Sequence, residues 1–245
     1  MAIDFDPRDG DRYQEIRAGV RKLCAQFPGE YWRGLDHEAA YPAEFVKAVT
    51  AAGYLGALIP EVYGGSGLPL SAAAVIMEEI QRSGCNGAAC HAQMYIMGAL
   101  LRHGSEAQKQ KYLPAIAAGD LRLQAFGVTE PTSGTDTSSI KTFARRDGDD
   151  YVVNGQKIWT SRAEHSDLML LLARTAPKEQ GAKRTNGLSV FILDMGAARG
   201  NGLTIRPIRT MMNHATTEVF FDNVRVPAGN LVGEEAWASA TSCRA

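Results

Sequence analysis

Gly127-Val128-Thr129-Glu130-Pro131-Thr132-Ser133-Gly134-Thr135-Asp136, with Asn154-Gly155-Gln156-Lys157-Ile158-Trp159-Thr160-Ser161 after it, is the pair of segments whose reading decides the fold. The first closes an apolar run (Leu123, Ala125, Phe126, Val128) with a loop of small hydroxylated residues around Gly134. Backbone without bulky side chains can approach a ligand closely and offer N–H groups, and such a nest suits a phosphate. In the second, Asn154-Gly155 predicts the turn of a hairpin that carries Trp159 near its far end. A diphosphate cradle and an aromatic plate in one stretch point to a dinucleotide whose ring lies against Trp159. The competing reading of Trp159 is a core indole that anchors β packing. Glu130 and Asp136 are carboxylates placed to hold the loop by accepting backbone N–H bonds.

Upstream of this stretch the pattern is helical. Ile16, Val20 and Leu23 share a face between Arg12 and Phe27, before Pro28-Gly29. Pro42 fits a first helical position, with Phe45, Val49 and Ala52 behind it and Gly53 past the end. Residues 60–67 are too glycine-rich for a helix and predict a shaped loop. Ser71 predicts a cap for a helix ended by Gly84; a small-residue helix follows from Gly87 to His103. Ser105 and Gln108 predict a capping box for a further helix, which Pro114 should break or kink. Near Leu121 the period becomes alternating. Short strands are predicted over 138–146, 151–159, 167–173, 187–193, 203–208 and 217–221, separated by Gly, Asp, Asn and Pro turns. The fold class is therefore α+β: an all-α domain over 1–121, then a small β-barrel or sandwich over 122–235.

The 245 residues are 45% hydrophobic and 22% charged, as in ordinary globular chains. A net charge of −1 argues against nucleic acid or an anionic membrane as the main partner. No run reaches the ~18 apolar residues of a membrane span. Cys24, Cys85, Cys90 and Cys243 contain no C-x-x-C pair and follow no signal peptide, so reduced thiols and a cytoplasmic location are expected. Cys85 and Cys90-His91 lack a second ligand pair at zinc spacing, so no metal is expected. His165 and His214 sit in loops of the β half, with no G-x-S-x-G to suggest a hydrolase. Neither G-x-G-x-x-G nor a P-loop occurs. Lys178, Lys183 and Arg184 read as a solvated loop, with a CoA-phosphate contact as the alternative.

The two opening segments, at their spacing, resemble the middle domain of the FAD-dependent acyl-CoA dehydrogenases. Ile59-Pro60-Glu61-Val62-Tyr63-Gly64-Gly65, Gln108-Lys109-Gln110-Lys111-Tyr112-Leu113-Pro114 and Phe221-Asp222-Asn223-Val224-Arg225-Val226-Pro227 extend the resemblance across the chain as far as Glu235. The resemblance implies α,β-desaturation of an acyl-CoA thioester. The α-proton goes to a carboxylate, the β-hydrogen leaves as hydride to flavin N5, and the electrons pass to an electron-transfer flavoprotein or similar acceptor. It implies that backbone at Phe126 and Val128 runs along the flavin and that the Thr129 hydroxyl hydrogen-bonds the ring. Gly134 and Thr135 would meet the FAD diphosphate and the substrate, and Trp159 and Ser161 would flank the flavin. The small residues Gly87-Ala88-Ala89-Cys90 and Gly98-Ala99 permit close helix packing. By resemblance, that helix forms part of the acyl-chain wall, which makes Met94, Ile96 and Met97 candidates for the tunnel.

In the resembled family the base is a glutamate of a third, helical domain, which also supplies tetramer contacts, so no catalytic residue is expected within these residues. A homotetramer or homodimer is expected for the full-length form. The run Arg209-Thr210-Met211-Met212-Asn213-His214-Ala215-Thr216-Thr217 departs from the family pattern, as do Thr132-Ser133. Past Glu235 the resemblance fails. A stretch encoding Gly-Leu-Gly-Phe-Arg-Tyr-Ile-Leu-Ser-Gly gives Ala236 to Ala245 when one base is lost from its first codon, so residues 236–245 are expected to be a frameshift product or a sequencing error. Codons that no one-base insertion restores would contradict this. The chain as written is expected to be impaired or inactive, a truncated dehydrogenase. The alternatives are a non-catalytic FAD- or CoA-binding remnant, an interaction module, or a related flavin oxidase or monooxygenase.

Overall fold

The computed structural model describes residues 13–177, 185–212 and 215–235. Lys178, Lys183, Arg184, His214 and the tail from residue 236 lie outside them. The chain divides into two compact units, one of residues 1–94 and 110–120 and one of residues 95–109 and 121–245.

The first unit is helical: α1 (Gln14–Cys24), α2 (Gly29–Glu38), α3 (Ala43–Ala51) and α4 (Leu70–Arg82), with the parts of α5 (Ala88–His103) and α6 (Glu106–Ala118) that fall in its ranges. Its core gathers Val20, Phe45, Val49, Leu55, Ile76 and Ile80. Phe45 stands edge-on to Phe27 and Trp32, with centroids 5.2 and 4.9 Å apart. Buried Glu79 of α4 accepts from Arg21 Nε at 2.8 Å and from Arg17 Nη1 at 3.4 Å, so α1 meets α4 with its carboxylate neutralised.

Several expectations change here. Pro28-Gly29 ends α1 but also starts α2, with Pro28 at its N-cap, an element the apolar period did not disclose. Pro42 is the N-cap of α3 and not its first helical residue. Ser71 lies inside α4, whose N-cap is Pro69. Its hydroxyl is instead 2.8 Å from the Tyr13 hydroxyl. Pro114 does not break α6, which runs on to Ala118.

The capping box forms. Gln108 N donates to Ser105 Oγ at 3.2 Å, and Ser105 N donates to Gln108 Oε1 at 3.1 Å. The amide of Gln108 also donates to the carbonyls of Gly229 and Leu231, at 2.8 and 2.7 Å, within the second unit. Gln108→Ala removes both the cap and this clasp, so a loss of about 2 kcal/mol is expected, against about 1 for Ser105→Ala. Urea midpoints of the two variants check the order.

Among the described residues the second unit contains an eight-stranded sheet in the order β6-β7-β3-β2-β4-β5-β8, with β1 pairing β4. The strands are β1 (Leu123–Gly127), β2 (Phe143–Asp147), β3 (Asp150–Ser161), β4 (Leu168–Arg174), β5 (Leu188–Asp194), β6 (Leu203–Pro207), β7 (Thr216–Pro227) and β8 (Leu231–Val232). One-turn α7 (Met195–Ala198) follows β5. The sheet folds over a shared core of Ala144, Tyr151, Val153, Met169, Leu171 and Phe191 among others. Tyr151 of β3 and Phe191 of β5, far apart in strand order, stack edge-on at 4.8 Å.

Asn154-Gly155 is not a hairpin turn. The β2–β3 hairpin turns at Gly148-Asp149, where Asp147 pairs with Asp150 and Gly148 takes φ +61°. Asn154 and Gly155 continue along β3 at a register shift opposite Asn223. The Asn154 side chain clasps that bulge, accepting from Asn223 N at 2.9 Å. Gly155 has φ +149°, and a Cβ there would stand 2.7 Å from the Thr142 Cα, so close strand approach and not turning selects the glycine.

Candidate functional site

Four features shape the first opening segment in the second unit, and the last of them also ties it to the second segment. First, β1 leads parallel to β4 up to Gly127, and the chain leaves the sheet at Val128. Second, Glu130-Pro131-Thr132-Ser133 closes a turn in which Glu130 N and Ser133 N each donate to the other residue's carbonyl at 3.0 Å, with Pro131 at its favoured second position. Third, Asp136 accepts from Ser138 N at 3.1 Å and from the Ser139 hydroxyl at 2.6 Å, so it shapes the loop as its residue type suggested. Arg174, itself buried, donates to the carbonyls of Ser138 and Asn186 at 2.8 and 3.0 Å and anchors the loop's far end to β4.

The fourth feature is a buried ion pair. Lys157 is 0% exposed and Glu130 is 5% exposed, and Lys157 Nζ lies 2.9 Å from Glu130 Oε1. The same ammonium donates to the Val128 carbonyl at 2.9 Å. Glu130 also accepts from Lys141 N at 2.6 Å and Thr142 N at 2.9 Å, so its lone pairs are well used. Burial pushes the Lys157 amine down to about 8 against the opposing pull of Glu130. Burial pushes the Glu130 carboxyl up, but Lys157 and the two amides outweigh it and hold it below the ordinary range. We take the charged pair as the state near neutrality, because each partner has hydrogen bonds that suit its ion.

Trp159 sits on a bulge. Lys157 pairs with Val219 and Thr160 with Thr217, so Ile158 and Trp159 together oppose the single residue Glu218. The extra residue frees Ile158 N to donate to the Thr129 carbonyl at 2.9 Å, which locks the second segment onto the first. Trp159 takes φ +59° and leaves 58% of its surface exposed. Left-handed backbone is costly for a bulky residue, and exposed indole is wasted as core. The core-anchor reading of Trp159 is therefore overturned.

Thr129, Val128 and Phe126 are half-buried along the same edge, Ser161 is half-buried beyond the bulge, and Gly134 and Thr135 are exposed at the loop. The N–H groups of Thr129, Gly134 and Thr135 donate to no described residue, and a Cβ on Gly134 would meet only Thr129 Cγ2, at 4.0 Å. Met94 and Met97 are 6% and 0% exposed; Met94 belongs to the first unit's core and Met97 to the second unit. His165 lies on a single helical turn after Arg162, its imidazole pushed down chiefly by burial. Cys24, Cys85 and Cys90 are free thiols, and burial pushes Cys24 up to about 12. Among the described residues no group of three His, Cys, Asp or Glu side chains could hold a metal ion, and no helix is long and apolar enough to cross a membrane.

Sequence reasoning missed Lys157. Its signal is the strand period: Tyr151, Val153, Gly155 and Lys157 fall in one phase of β3, and a lysine in a core phase requires a carboxylate.

The helical half and the β half of the sequence each match a domain of one known family. Residues 10–120 match the acyl-CoA dehydrogenase N-terminal domain and residues 125–224 the acyl-CoA dehydrogenase middle domain. The chain belongs to the acyl-CoA dehydrogenase family, whose members are FAD-dependent. It is 33% identical to the acyl-CoA dehydrogenase FadE26 of Mycobacterium tuberculosis, over 99% of this chain and 60% of that protein. Among solved structures it is similar to butyryl-CoA dehydrogenase from Megasphaera elsdenii (TM-score 0.84, 28% identity, 98% of this chain and 62% of that one). A glutaryl-coenzyme A dehydrogenase in complex with glutaryl-CoA gives TM-score 0.83 at 30% identity, over 98% of this chain and 60% of that one. The chain thus spans about three-fifths of the length of the relatives it matches.

Proposed function

We propose that this chain carries the FAD-binding loop and plate of an acyl-CoA dehydrogenase, over a helical domain of residues 1–121 and a β domain of residues 122–235. The observation that supports it most is Trp159: a bulky residue in left-handed backbone, more than half exposed, on a bulge of β3. When bound, FAD supplies the two-electron acceptor for α,β-desaturation of an acyl-CoA thioester. The uncommitted N–H groups of Thr129, Gly134 and Thr135, and the space at Gly134, fit a phosphate-bearing group with a flat ring. Phe126 and Val128 line the ring through backbone, Thr129 donates to it, and Trp159 and Ser161 flank it, with the indole excluding water from one side. Gly134 and Thr135 meet the diphosphate, and Thr135 the thioester, with Met97 of the same unit toward the acyl chain. No carboxylate among the described residues is assigned as the base. An electron-transferring flavoprotein is the proposed acceptor.

The test is anaerobic titration of the FAD-loaded chain with acyl-CoA thioesters of several lengths. Bleaching of the flavin absorbance supports desaturation by these residues themselves; FAD held without bleaching restricts the reading to cofactor binding by them. Failure to bind either FAD or any thioester contradicts the proposal. A second variant separates function from stability. Trp159→Gly relieves the left-handed strain, so its urea stability should equal or exceed wild type by about 1 kcal/mol, while its FAD affinity should fall about tenfold with the loss of the stacked ring.

A further inference from the structure

We propose that Lys157 is a positioning residue: its ammonium holds the Val128 carbonyl turned inward, and so holds the Thr129 N–H facing out as a fixed donor to the flavin ring. The inference rests on the flavin reading of the loop. Lys157 Nζ is 2.9 Å from the Val128 oxygen as well as 2.9 Å from Glu130. Among the described residues no peptide bond is cis, and in a trans peptide the C=O and N–H point to opposite sides. An inward Val128 carbonyl therefore obliges the Thr129 N–H to face the other way. The next peptide is fixed from the same strand, since Ile158 N donates to the Thr129 carbonyl at 2.9 Å. Both peptide planes flanking Thr129 are thus held by β3, one by a side chain and one by backbone.

An ion pair that served stability alone would be replaceable by an apolar pair of similar volume, often with a gain. Such a replacement could not hold the Val128 carbonyl. The strand is closely packed at this point: a Cβ on Gly127 would stand 3.1 Å from Met169 Sδ, 3.2 Å from Leu171 Cδ1 and 3.4 Å from Lys157 Cγ.

Glu130→Gln keeps an oxygen to accept from the amine and keeps the bond from Lys157 to Val128, and gives up only the bond that the second carboxylate oxygen accepts from Lys141 N. Pairing it with Lys157→Met removes that bond while leaving no buried charge unpaired. The two proteins and wild type are compared by the carbonyl-carbon NMR shift of Val128, which needs no cofactor, and by FAD titration. Glu130→Gln should keep the wild-type Val128 shift and an FAD dissociation constant within about threefold, whereas the double variant should move the shift upfield and weaken FAD about tenfold or more. An unmoved Val128 carbon in the double variant overturns the tether, and so does an equal loss of FAD affinity in both variants. A wild-type chain that takes up no FAD overturns the flavin reading and with it the task given to the donor, even where the Val128 shift moves as described.

Discussion

Glu130→Leu is expected to lower the unfolding free energy by roughly 3–5 kcal/mol near neutral pH, the largest effect of any single change considered. The substitution leaves the Lys157 ammonium, 0% exposed, with only the Val128 carbonyl, and it orphans the N–H groups of Lys141 and Thr142. The pH dependence has a definite sign. In the wild type the Lys157 amine is already pushed down to about 8 by burial, with Glu130 pulling it back up. Without Glu130 it falls further, so the variant's folded state sheds its proton at lower pH than the wild type's. The deficit is therefore greatest where both folded states are charged, narrows as pH rises toward about 8, and is smallest above it. Urea unfolding of both proteins between about pH 6 and 9 reads this directly. A deficit under about 1 kcal/mol, or one that widens with pH, contradicts the account of the buried pair.

Gly155→Ala is expected to cost roughly 2–4 kcal/mol, far beyond a surface strand substitution. The added carbon would stand 2.7 Å from Thr142 Cα and 2.8 Å from Thr142 Cβ, in a backbone conformation of φ +149° that side chains avoid. Thr142 cannot easily yield, because its N–H is held by Glu130. The strain should therefore spread into the loop, and FAD uptake should fall with stability. A variant with a wild-type urea midpoint would mean that β2 and β3 are not held this closely.

Gly155 also illustrates what was legible in the sequence. Asn-Gly is a strong local turn signal, and it misled here because the choice of turn was made by Gly148 seven residues earlier and by a long-range clasp between Asn154 and Asn223. A local motif cannot report a partner 69 residues away. The helical half, the onset of strands near Leu121 and the Ser105–Gln108 box were readable because capping and period are local physics. Helix α2 escaped because it begins directly at Pro28-Gly29, which reads as a stop, and its apolar contacts through Tyr31 and Trp32 are only partly buried. The two motifs were read together from the sequence, but the bonds that join them were not legible there. Glu130 was recognised as a shaping residue, whereas its partner Lys157 had to be found 27 positions on, in the inward phase of a strand. The left-handed backbone of Trp159 follows from a bulge against β7, which no spacing within β3 discloses.

The most direct measurement is the equilibrium binding of FAD to the purified, desalted 245-residue chain, followed by flavin absorbance and fluorescence. The account predicts saturation at one FAD per chain, with flavin fluorescence quenched against Trp159 and the quenching lost in Trp159→Gly. A chain that shows no saturable FAD binding, or whose quenching is the same without Trp159, would contradict the claim that these two segments form one flavin site.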